Sequence, residues 1–138
     1  MATIDEKKAF LNRCYEIKQR EHEVKERLEG IRARCTGHAI QYDDMPRGTN
    51  TRDLSDYAVA VESVQIELLH VRIKYFDAYL EISNAVEQMD DDREKDLLRL
   101  RYLLCLTWEG VADRMEYGVR QVHKIHKKAL EHFEIPEA

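Results

Sequence analysis

LLRLRYLLCLTWEGVADRMEYGVRQVHKIHKKAL, residues 97–130, is the stretch on which the reading of this chain turns. Apolar positions here fall into three short helical patterns: Asp96–Cys105, Trp108–Met115 and Val119–Phe133. Thr107 stands ahead of the second pattern as a helix cap, and Glu116, Tyr117 and Gly118 make a short turn around a glycine. Short helix, tight turn, short helix is the helix-turn-helix spacing. Val111, Ala112 and Met115 point inward from the first member, and the small Ala112 lets the next helix approach closely. In the last helix Val119, Val122, Ile125 and Ala129 form an apolar stripe, joined on its flank by Leu130. Arg120, Gln121, His123, Lys124, Lys127 and Lys128 remain outside.

That outer face is basic in an acidic protein. The 138 residues carry 22 Lys+Arg against 27 Asp+Glu, a net charge of −5, yet residues 117–130 hold four bases and no acid. Any solvated helix carries lysines, and a helix C-terminus favours them. Behind a glycine turn and a capped partner helix the basic face gains a second meaning, because such a helix enters the major groove with its N-terminal residues at base edges.

The same residues carry a family resemblance. LLRLRYLLCLTWEGVADRMEYGVRQVHKIHKKAL resembles region 4 of bacterial sigma factors, in which an LRLRY-type helix precedes a Thr/Ser-capped helix, a turn, and a recognition helix ending in a Lys-Ala-Leu-like run. In size and layout the chain is similar to small phage-encoded proteins with a sigma-region-4-like end behind helical N-terminal segments, some of which are thought to regulate late transcription. The resemblance covers about 40 of the residues. It implies Arg120, Gln121 and Lys124 as base-edge or groove contacts, with Lys127 and Lys128 nearer the phosphates and His123 at the same face. Arg grips guanine bidentately, Gln pairs with adenine, and lysines release counterions from the backbone. Gly118 departs from the family, standing where many relatives carry Ser or Thr to cap the recognition helix.

Working outward, the upstream chain is helical and heptad-like. Phe10, Cys14, Ile17, Val24, Leu28, Ile31 and Cys35 alternate by four and three, with Glu21 the one polar position, over roughly residues 4–38. The run Gly37–Asn50 gathers turn residues and reads as a loop, with Thr51 or Asp53 as the cap of the next helix. From Leu54 the rhythm resumes through Tyr57, Val61, Val64, Leu68, Val71, Tyr75, Ala78, Ile82 and Ala85 to Met89. Two long helices joined by one loop make an antiparallel hairpin. The expected fold is therefore all-α: a helical hairpin over 1–89, for dimerisation or docking, and a three-helix sigma-region-4-like helix-turn-helix module over 90–138. Asp90–Asp92 marks the boundary, with acid placed favourably at a helix start. Only five Gly and two Pro argue against many short strands. A second apolar series, Ile66, Leu69, Ile73, Phe76 and Leu80, needs cover from the C-terminal module or from a second copy, and a homodimer is favoured.

Other functions find little footing. No apolar stretch approaches the ~20 residues of a membrane span, MATIDEKKAF lacks a signal-peptide core, and Cys14, Cys35 and Cys105 form no CxxC pair and read as reduced thiols. A cytoplasmic protein without membrane contact is expected. His123 and His126, three apart with His132 a further six along, suggest a metal pair that still needs a third ligand and a second shell; no catalytic triad or phosphate loop appears, and no metal, cofactor or enzymatic activity is expected. His126 is expected partly buried at the edge of the basic face. Residues 1–89 lack a promoter-melting module, so a complete sigma factor is excluded. Two readings stay open. One is a sequence-specific DNA-binding transcriptional regulator of phage or prophage type, whose 118–133 helix lies in the major groove of double-stranded DNA. The other is a non-enzymatic adaptor that docks on RNA polymerase or another phage protein without appreciable DNA binding.

Overall fold

The four-three rhythm of the N-terminal half becomes helix in a computed structural model that describes the backbone of residues 2–40 and 50–136 and the side chains of 2–34 and 54–136. The order is α1 (Ile4–Leu11), α2 (Arg13–Ile40), α3 (Asn50–Glu87), α4 (Asp92–Leu98) with a π-helical turn at Arg99–Leu103, α5 (Trp108–Met115) and α6 (Val119–His132). All regular structure among the described residues is helical. At about 1.5 Å per residue, α3 alone is roughly 57 Å long.

The chain divides into two compact units, Lys18–Lys74 and Met1–Ile17 with Tyr75–Ala138. In the first, side chains of α2 and α3 meet: Glu67 receives both Arg20 and Arg27, at 3.1 and 2.8 Å, and Arg72 reaches Glu21 at 3.6 Å. Between them Val24, Leu28, Val64, Leu68 and Val71 are buried. Burial of this seam is the favourable term, since exposed ion pairs contribute little. Glu21, the polar position in the α2 rhythm, is thereby explained: it lies beside α3 with an arginine partner.

The second unit holds the larger core, built from Leu11, Cys14, Ala78, Ile82, Ala85 and Val86 together with Leu97, Leu98, Tyr102, Leu103, Val111, Ala112, Val122, Ile125, Ala129, Leu130 and Phe133. The units thus part elsewhere than at Asp90, where the change of rhythm put the boundary between 1–89 and 90–138. The reason is burial: helices that continue the heptad pattern supply α1 and the last turns of α3 as walls of the core around α4–α6.

Several elements also differ locally. The first helical segment is broken at Asn12, whose ψ of −5° ends α1, and Leu11 is buried beside the half-buried Phe10. Helix α2 runs on to Ile40, past the loop start expected at Gly37, and Thr51 and Asp53 fall inside α3 with side chains outside the described residues. The side chain of Cys35 also lies outside them. Asp91 caps α4, its Oδ1 accepting from the N–H groups of Arg93 and Glu94 at 2.9 and 3.2 Å. These bonds, with Glu94 N–H first, hold its carboxyl below the usual aspartate range against a smaller opposing effect of burial. The pattern expected as one helix over Asp96–Cys105 begins four residues earlier and ends in the π turn, after which Cys105 takes a left-handed φ of 57°.

Candidate nucleic-acid interface

Thr107 caps α5 as its position suggests, with Oγ1 accepting from Gly110 N–H at 3.1 Å. A Cβ on Gly110 would lie 3.3 Å from that oxygen, so glycine keeps the cap uncrowded. The C-terminal turn is a Schellman motif: Tyr117 N–H bonds to Ala112 O at 3.0 Å and Glu116 N–H to Asp113 O at 3.3 Å. Its left-handed residue is Glu116, at φ 61° and ψ 38°, whereas Gly118 has φ −74° and serves as the N-cap of α6. The turn was expected to form around the glycine. The hydrogen bonds to the α5 carbonyls place the positive φ two residues earlier, where a non-glycine residue is strained.

Helix α6 buries Val122, Ile125, His126, Ala129 and Leu130. Arg120, Gln121, His123, Lys124, Lys127 and Lys128, the six residues singled out in the sequence, are all exposed and share one helix. Val119, assigned to the apolar stripe, is 37% exposed, because it sits in the first turn where the helix emerges. The first turn of α6 contains no acid and Gly118 supplies no side-chain cap, so its N-terminal N–H groups and dipole add to the positive face. At the other end Lys7 Nζ, from α1, donates to the carbonyls of Leu130 and Glu131 at 2.9 and 3.3 Å. Phe10 packs on Phe133 at 5.9 Å between ring centroids. The last turn is thereby tied to the core.

Beneath the basic face lies an aromatic cluster absent from the sequence reading. Trp108 has the Arg101 guanidinium 4.4 Å from its ring centroid, the His123 ring at 4.6 Å and the His126 ring edge-on at 4.7 Å. Arg101 is held by a 2.8 Å bond to Leu106 O. Its place inside the π turn, seven residues before Trp108, could not be read from helical periodicity. His123 therefore has two faces to its role: exposed with the lysines, yet packed against Trp108 in a tilted ring contact.

His126 is buried more fully than expected, at 9% exposure. Its Nε2 lies 2.6 Å from the Tyr102 hydroxyl, which donates to it in the neutral tautomer that carries its proton on Nδ1. Burial first, then the charges of Lys8, Arg101 and His123, push its pKa down to about 4, and burial pushes the Tyr102 hydroxyl up. His132 instead meets the buried Glu94, with Nδ1 2.5 and 3.1 Å from its carboxylate oxygens. His123 and His126 thus both meet Trp108, with His126 also bonded to Tyr102, while His132 goes to Glu94. Among the described residues no group of three His, Cys, Asp or Glu is arranged to hold a metal ion, and no helix is long and apolar enough to cross a membrane.

The Glu94–His132 pair borders a cavity of about 860 Å³ that also touches Met89, Asp90, Glu131 and Ile135. Its lining is acidic, and none of the basic residues singled out on α6 lines it. Comparison of the chain with protein-family models, with curated proteins and with solved structures finds no match.

Proposed function

We propose that α5 and α6 form a helix-turn-helix pair in which α6 reads double-stranded DNA in the major groove, and that the protein is a sequence-specific transcriptional regulator of phage or prophage type. The observation that carries this reading is that Arg120, Gln121, His123, Lys124, Lys127 and Lys128 are exposed together on a helix without acid in its first turn. Nothing within the unit that contains them covers these side chains. The likeness of 97–130 to sigma region 4 supports the same assignment, with α4 and its π turn as the LRLRY-type helix. Arg120, Gln121 and Lys124 lie in the N-terminal half of α6, where base edges are reached, and Lys127 and Lys128 are placed for phosphates.

Gel-shift titration against phage genomic fragments over a series of salt concentrations tests it. Each phosphate contact steepens the salt dependence by about one logarithmic unit, and Arg120→Ala with Lys124→Ala abolishes the shifted band. Binding indifferent to both overturns the proposal. Selection from a random DNA pool then gives the operator and, from the spacing of any half-sites, the geometry of a dimer on DNA.

One observation favours a second reading. Helix α5 and its turn expose Glu109, Asp113 and Glu116 against one base, Arg114, a net acidic surface that disfavours phosphates. On this reading the helix pair docks on RNA polymerase or another phage protein as a non-enzymatic adaptor. Retention of polymerase from host lysate after nuclease treatment, with no gel shift at low salt, distinguishes it.

A further inference from the structure

Helix α3 carries a second seam on the side roughly opposite its buried one. Ile66, Leu69, Ile73, Phe76 and Leu80 are 49%, 56%, 51%, 60% and 44% exposed, and Val59 is 64% exposed, while Leu68, Val71, Ala78 and Ile82 of the same helix are buried. In heptad terms Val59, Ile66, Ile73 and Leu80 occupy a, and Glu62, Leu69, Phe76 and Ser83 occupy d. Three of the four a positions are β-branched and one d position, Leu69, is leucine; β-branched residues at a with leucine at d favour a parallel two-stranded coil. Val59 to Leu80 spans about three heptads, the length at which such a pattern becomes meaningful.

The flanking charges select the partner and its direction. Arg72 stands at g and Asp77 at the following e, both exposed. A parallel, in-register second copy brings Arg72 of each chain to Asp77 of the partner subunit, twice by symmetry. The antiparallel alternative that stacks Ile66 on Phe76 and Leu69 on Ile73 brings Arg72 against Arg72 and His70 against His70. Arg72 already contacts Glu21 at 3.6 Å, but it keeps 52% of its side chain exposed, and a guanidinium has donors for both carboxylates. We propose that the protein self-associates as a parallel, in-register homodimer along the Val59–Leu80 face of α3. Glu62 at a d position weakens one end of the seam, so association falls in the micromolar range.

Sedimentation equilibrium of the full chain across micromolar concentrations, without DNA, tests this independently of the proposed function. A dimer is expected, and Ile73→Glu, at a solvent-exposed position with the circular dichroism unchanged, converts it to monomer. Arg72→Glu and Asp77→Arg each weaken association about tenfold, and the two together restore it, which repair of the Glu21 contact could not do. Direction is read by Glu62→Cys: oxidation links the two chains of a parallel dimer, whereas in the antiparallel arrangement the two positions lie about 27 Å apart. The unsubstituted protein run alongside controls for its native thiols. A monomer at every concentration, a dimer indifferent to Ile73→Glu, failure of the charge exchange to restore association, or a dimer that Glu62→Cys does not link overturns the proposal.

Discussion

His126 makes the stability of the helical core around α6 depend on pH, and the sign and size follow from its surroundings. The imidazole is buried, bonded to Tyr102 and faced by Lys8, Arg101 and His123, which together lower its pKa from 6.5 to about 4. The unfolded chain therefore binds a proton near pH 6.5 that the folded chain refuses until about pH 4. Stability contributed by the neutral side chain is complete above the unfolded value and is lost as pH falls through the window between the two. At about 1.4 kcal/mol per pH unit, the loss across the window is about 3 kcal/mol. His126→Gln keeps an acceptor for the Tyr102 hydroxyl and removes the titration. Trp108 is the one tryptophan of the chain and touches His126 at 4.7 Å between ring centroids, so its fluorescence during urea unfolding reports this region. Native stability is expected to fall relative to the variant from pH 7 to pH 4. A difference between the two proteins that stays constant over that range refutes the reasoning.

Other consequences follow from local geometry. Glu116→Gly relieves the left-handed backbone at the end of α5 and raises stability by about 1 kcal/mol, read as a shift in the urea midpoint. Gly118→Ser supplies the missing α6 cap in an extended conformation where a Cβ meets nothing within 4 Å; a gain of a few tenths of a kcal/mol in thermal melts is expected, with DNA affinity kept or improved. Phe133→Ala empties a fully buried site against Phe10 and lowers stability by about 3–5 kcal/mol, visible as loss of helical signal at a lower temperature. Asp91→Asn leaves an acceptor at the α4 cap but removes its charge. The native protein then loses the contribution of the Asp91 carboxylate only as pH drops through its lowered pKa, below 3.8, and a variant with the same acid limb refutes the cap assignment.

The exposed residues of α6 were legible in the sequence because a helix imposes one period. Once Val122, Ile125 and Ala129 are assigned inward, Arg120, Lys124, Lys127 and Lys128 have nowhere else to point. Trp108–Met115 as a helix and Thr107 as its cap rest on equally local signals of apolar spacing and capping chemistry. Where apolar spacing was ambiguous it misled: Asp96–Cys105 continued as a pattern through residues that the backbone takes into a π turn and a left-handed Cys105, since side-chain rhythm does not record which carbonyl each N–H finds.

Contacts between distant segments were decided only by tertiary packing. Lys7 on the carbonyls of Leu130 and Glu131, Phe10 on Phe133, Glu94 with His132, and the Arg101–Trp108–His123 cluster join residues whose separation in the chain carries no period to betray them. The same holds for the division into compact units, where the ends of the long helices enter the core of the C-terminal ones. Sequence alone settled helical character and which side of each helix is apolar, because both are properties of a single helix and its nearest neighbours. Which apolar side meets which, and which charge is buried or left open, depended on the competition of all segments for one core, and that is resolved only when the chain is folded.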